Sequence, residues 1–132
     1  MKLPPALLNR LSPLVEAARG EPLVAPFIDI PEFNQQRLVL VSPYGRFCFD
    51  RVNRQVLKGE APVCAFGDIR SIDLAGFPGG RGAPSWTVTL YCGFTQRVTV
   101  GRTYDDGEAS VTGARLARLI GCKVVSLAGH RR

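Results

Sequence analysis

Nowhere does this chain run through the roughly 20 consecutive apolar residues that a membrane-spanning helix needs, so no such helix is expected. Its N-terminus, Met1-Lys2-Leu3-Pro4-Pro5, carries one lysine and no apolar run ending in a small-residue cleavage site, and no signal peptide is expected either. Histidine is almost missing. The one His130 sits in a polar tail beside Arg131 and Arg132, whereas acyl transfer by a Ser/His or Cys/His pair needs a base held in a fixed, buried position. There is no CxxC pair: Cys48, Cys64, Cys92 and Cys122 stand far apart, three of them in apolar strand-like runs. They read as buried free thiols in a reducing cytoplasm. A disulfide or a zinc site would need a convergence that spacing does not reveal. Gly79-Gly80-Arg81-Gly82 lacks the Lys-Ser/Thr ending of a P-loop and the spacing of a dinucleotide fingerprint.

What is present fits one globular domain. The 132 residues are 45% apolar and 21% charged, enough to build a single core and too few for two comfortable ones. The net charge of +6 comes mostly from arginines that are scattered along the chain. Scattered charge confers solubility and a mild attraction to anions, without the concentrated basic stripe of a nucleic-acid-binding face.

Residues 1–36 read as an N-terminal helical arm and a proline-rich lead-in. Leu7, Leu8, Leu11, Leu14 and Val15 fall near one helical face, Pro13 interrupts it, and Gly20 ends it. Pro22, Pro26 and Pro31 follow, so Phe27–Ile30 is at most an edge strand. From Arg37 the periodicity turns to strands. Leu38–Val41, Phe47–Phe49 and Gln55–Lys58 are separated by Ser42-Pro43-Tyr44-Gly45 and Asp50–Arg54 turns. Asp50 is placed to pair with Arg51 or Arg54. Val63–Phe66 and Ile69–Leu74 keep no single two-residue phase unless a bend or bulge falls at, or just after, Gly67-Asp68. Asp68 fits a turn and Asp73 a solvent face.

The glycine- and proline-rich loop Gly76–Ser85 is expected to be exposed and mobile. Trp86–Cys92 and Arg97–Val100 alternate cleanly. A three-residue turn, Gly93-Phe94-Thr95, sets Leu90 opposite Val98, Val88 opposite Val100, Tyr91 opposite Arg97 and Thr89 opposite Thr99. A two-residue turn would put the apolar set on the wrong face. Residues 105–120 form the clearest helix: Asp105 caps it, and Glu108 stands where a capping box places an acid. Ala109, Thr112, Leu116 and Ile120 follow one face, and Gly121 stops it. Gly113 costs about 1 kcal/mol relative to alanine inside a helix, which close contact with a sheet would offset. Val124–Leu127 adds a short terminal strand, and 128–132 form a basic tail.

The order is then about seven strands followed by one capped helix. Phe47-Cys48-Phe49-Asp50-Arg51 with Arg54-Gln55-Val56, Phe66-Gly67-Asp68-Ile69-Arg70-Ser71-Ile72-Asp73-Leu74, Trp86–Leu90, and Glu108-Ala109 leading to Ala114–Ala117 and Leu119–Gly121 carry the pattern. Over residues 37–127 the chain resembles bacterial pleckstrin-homology-like domains. That resemblance implies a mainly β (α+β) fold: a bent antiparallel barrel or sandwich whose C-terminal helix plugs an open corner. Related bacterial domains are often joined to membrane-spanning helices, which this chain lacks.

No catalytic constellation emerges, and no cofactor is implied. Asp105 and Asp106, the most visible acid pair, are accounted for by helix capping. The chain reads as a non-enzymatic interaction or scaffold module in the cytoplasm, meeting another protein through a sheet edge or the 76–85 loop. The alternative is electrostatic binding of anionic lipid headgroups or nucleic acid through the arginines. Candidate partner or anion contacts are Arg81, whose glycine neighbours suggest an anion nest, and the Tyr91–Arg97 pair, which also suits a cation–π contact.

Overall fold

The structure is a computed structural model that describes residues 25–78 and 83–127. The expected helical arm over 1–20, Arg81 with its glycines, and the tail with His130 lie outside these residues.

Four successive antiparallel pairings build the first sheet. β1 (Asp29–Phe33), β2 (Arg37–Ser42), β3 (Gly45–Asp50), β4 (Gln55–Lys58) and β5 (Ala61–Ala65) run as an antiparallel meander in chain order. Leu38 faces Phe49 and Leu40 faces Phe47 across β2 and β3, so the apolar residues pair on one face. All four are completely buried or nearly so. The proline-bearing first strand lies at Asp29–Phe33, not Phe27–Ile30. The irregularity between Asp29 and Glu32 absorbs Pro31 at the sheet edge, where a missing N–H costs least.

The second sheet contains β6 (Ile69–Phe77), β7 (Ser85–Cys92), β8 (Gln96–Thr103) and β9 (Lys123–Leu127), in the order β8-β7-β6-β9. A short 3-10 turn at Phe66–Asp68 ends the first sheet and starts the second. A register shift between Ile69 and Ser71 restores the alternation, as the sequence requires. Between β8 and β9 lies the helix α1 (Asp106–Ile120). β9 is parallel to β6, an arrangement that needs a long crossover, which α1 supplies.

Nine strands occur among the described residues, against about seven expected; the two end segments, β1 and β9, both pair. The strands also divide into two sheets and do not close into a barrel. β2 approaches β8, and the Ser42 hydroxyl donates to the Val100 carbonyl at 2.6 Å. One contiguous core draws Leu38, Leu40, Phe47 and Phe49 from the first sheet, Ile72, Val88, Leu90 and Val100 from the second, and Leu116 and Ile120 from α1. The fold is therefore mainly β, sandwich-like, with one C-terminal helix.

The β7–β8 hairpin has the expected three-residue turn, with Gly93 in the left-handed region at φ +60°. Leu90 faces Val98, Tyr91 faces Arg97 and Thr89 faces Thr99 as the pattern demands. Val88 faces Gly101 and not Val100, because a register shift between Val88 and Thr89 adds a residue to β8. That shift brings Gly101 under Ile28, where a Cβ would lie 2.9 Å from Cγ1 of Ile28.

In α1 the Asp105 carboxylate accepts from the N–H groups of Gly107 and Glu108, and Gly121 ends the helix at φ +91° with its N–H on the Ala117 carbonyl. The capping box is modified: the Asp105 N–H donates to the Thr103 hydroxyl, which donates onward to the Glu108 carboxylate. Gly113 lies against β6, where a Cβ would stand 3.0 Å from Cδ2 of Leu74. This close approach is what the glycine permits.

Candidate functional site

Of the sequence-derived candidates, Tyr91 and Arg97 meet as expected. Cross-strand pairing places the Arg97 guanidinium 4.6 Å from the centroid of the Tyr91 ring. The Tyr91 hydroxyl turns back to donate to the Phe94 carbonyl at 2.7 Å, which stiffens the hairpin turn.

The third member was missed. Asp73, read as a solvent-facing residue, is only 4% exposed. Arg97 Nη1 donates to Asp73 Oδ2 at 2.8 Å, and the Ser71 hydroxyl donates to Oδ1 at 2.7 Å. Both carboxylate oxygens are thus satisfied, as a buried charge requires. Nothing local in the sequence signals this, since Asp73 and Arg97 sit on strands that do not neighbour each other: β7 lies between β6 and β8. Beside them the Thr89 and Thr99 hydroxyls meet at 3.1 Å. Half of the Arg97 side chain remains exposed, but its charge is already engaged.

Other cations are used similarly. Arg54 lies over Phe66, Lys58 over Phe47, Arg70 over Phe94 and Arg115 over Phe33, at 5.4 to 5.8 Å from the ring centroids. These cations thus rest against rings of the domain, two of them exposed (Phe33 and Phe94) and two buried (Phe47 and Phe66). Asp50, expected to pair with Arg51 or Arg54, instead accepts from the Asn53 side chain and from the N–H groups of Val52 and Asn53. These bonds, the Asn53 side chain first, hold its carboxyl below the ordinary carboxylate value.

An open groove of about 420 Å³ runs beside α1, lined among others by Ile28, Ile30, Asp105, Glu108, Val111 and Arg115. Its ionisable groups have structural duties: Asp105 caps the helix, Glu108 accepts from Thr103, and Arg115 lies over Phe33. No cluster of His, Cys, Asp and Glu suited to a metal ion forms among the described residues.

The loop between β6 and β7 is shorter than expected. Gly76 pairs with Trp86 and Phe77 with Ser85, so the connection spans 78–84 and not 76–85.

The sheet edges differ in how they are guarded. β1 carries Pro31 and β5 carries Pro62, and proline blunts an edge by withholding a donor. β9, Lys-Val-Val-Ser-Leu, has no proline and a single charge. Among the described residues it pairs only with β6, and its Val124 and Leu127 side chains are exposed. The apolar character of 124–127 was visible in the sequence. That the segment ends as an outer strand was not.

Comparison with protein-family models, with curated proteins and with solved structures finds no match to this chain.

Proposed function

We propose that this domain is a non-enzymatic interaction module that accepts an extended segment of another protein along the outer edge of β9. Strand addition needs a row of available backbone N–H and C=O groups flanked by side-chain contacts. The observation that carries the reading is the contrast between edges. β1 and β5 hold prolines, and β8 carries Arg97 and Arg102 and packs against β2, whereas β9 has one charge, two valines, and Val124 and Leu127 exposed. An edge of that composition invites pairing. Within this reading the two sheets and C-terminal helix form a pleckstrin-homology-like scaffold, with β9 as an addition to it. The four free cysteines suit a reducing cytoplasm.

Affinity capture with three forms of the chain tests the proposal: wild type, residues 77–84 replaced by a short linker, and the double variant Val124→Lys/Leu127→Lys. Both substituted positions are exposed, so the last form is expected to keep its thermal midpoint. A partner retained by the linker variant and lost by the lysine variant supports strand addition. A partner lost only with the loop moves the interface to 77–84. Capture of nucleic acid or acidic vesicles that weakens steeply with salt, and that the lysine variant keeps or strengthens, assigns binding to the basic residues and overturns the β9 reading.

A further inference from the structure

Cys64 and Cys92 come from different sheets. Cys64 lies on β5, opposite Val56, and Cys92 ends β7, opposite Ile69. The 3-10 turn at Phe66–Asp68 folds the second sheet back, and the Gly93 N–H secures it by donating to the Asp68 carbonyl at 2.8 Å. As a result the two sulfurs stand 3.4 Å apart, with both thiols free. Cys92 is 1% exposed and belongs to the core, while Cys64 is partly exposed at its margin. Cys48 and Cys122 make no such contact with another sulfur among the described residues.

We infer that Cys64 and Cys92 form an oxidisable dithiol site, which a small two-electron oxidant of the hydroperoxide class converts to a disulfide joining the two sheets. The Cys64 thiolate attacks one oxygen of the hydroperoxide, the O–O bond breaks, and a Cys64 sulfenic acid forms as the other oxygen leaves with a proton. The Cys92 sulfur then attacks the Cys64 sulfur, the S–O bond breaks, and the thiol proton of Cys92 leaves with the hydroxyl as water. In sum, two thiols and one hydrogen peroxide give one disulfide and two waters. The sulfurs are oxidised and the peroxide oxygens are reduced.

Burial sets the rate. Together with the neighbouring Cys92, it pushes the Cys64 thiol up to about 12. Only the thiolate attacks, so the first step is slow near neutral pH. The second is intramolecular between sulfurs already in contact. The disulfide would cross-link a stretch of chain that includes the whole of β6 and the passage between sheets.

The full chain is treated with hydrogen peroxide, then alkylated under denaturing conditions and mapped by peptide mass. The expected product has lost two hydrogens and carries a Cys64–Cys92 cross-linked peptide. A reductant abolishes that product, and a rise in thermal midpoint on the order of 10 °C accompanies it. Cys64→Ser, at the partly exposed position, should keep the fold and give no cross-link; its Cys92 should remain a thiol or oxidise singly. Cys92→Ala serves as a second control. Separate sulfinic acids at Cys64 and Cys92, a cross-link through Cys48 or Cys122 in their place, disulfides only between two chains, or both thiols still reduced after prolonged exposure would each overturn the inference.

Discussion

Replacing Arg97 with methionine isolates the contribution of the Asp73 ion pair. Methionine keeps an unbranched stem against Tyr91 but leaves the buried carboxylate with only the Ser71 hydroxyl. An exposed salt bridge contributes about 0–1 kcal/mol. Removing one partner of a fully buried pair costs about 3–5 kcal/mol. This pair lies between those limits, with the Asp73 side chain 6% and the Arg97 side chain 53% exposed. Discounting for water around the guanidinium leaves about 2 kcal/mol. Losing the stack on Tyr91 adds about 0.5–1 kcal/mol. The total, roughly 2–3 kcal/mol, lowers the thermal midpoint by about 10 °C in a domain of this size. Urea unfolding followed by circular dichroism measures it, with an unchanged m-value as the sign of an unaltered denatured state. A cycle with Asp73→Ala should give a coupling of about 1–2 kcal/mol. Arg97→Met within about 0.5 kcal/mol of wild type, or strict additivity in the cycle, would falsify the assignment of Asp73 as a buried charge held by Arg97.

Asp105→Ala removes the helix cap and should cost about 1 kcal/mol, read by the same urea titration; Asp105→Asn should recover most of it. Gly121→Ala places a Cβ in the left-handed region at φ +91° and should cost about 1 kcal/mol, with Gly121→Asn less harmful because asparagine tolerates that region. Asn53→Ala should bring the Asp50 carboxyl back up towards its ordinary value, followed by NMR titration of its carboxyl carbon. Because that carboxyl is depressed in the folded state, its contribution to stability is present above the ordinary carboxylate value. The contribution fades as pH falls below it, so the Asn53→Ala and wild-type midpoints should converge in acid. A carboxyl unchanged by the substitution would show that the Asn53 side chain is not the main cause.

Local pattern and turn chemistry determined much of this protein. The alternation of Phe47 and Phe49, the three-residue turn after Cys92, the Leu90–Val98 register, the Asp105 cap and the Gly121 stop all follow from interactions within a few residues or across one hairpin. Such signals survive in the sequence because side-chain period and backbone conformation are local quantities. The tertiary structure decided the rest. Which strands share a sheet, and hence that the strands stay open as two sheets, depends on packing between distant segments. Val88 moved opposite Gly101 through a register shift that no periodicity announces, and Gly101 then received Ile28. Asp73 became a buried anion only because β8 carried Arg97 across β7, and Cys64 met Cys92 only because the chain turned between sheets at Phe66–Asp68. Charge pairing and sulfur contact act over a few ångströms in space, whatever the separation along the chain, so the spacing of these residues could not reveal them.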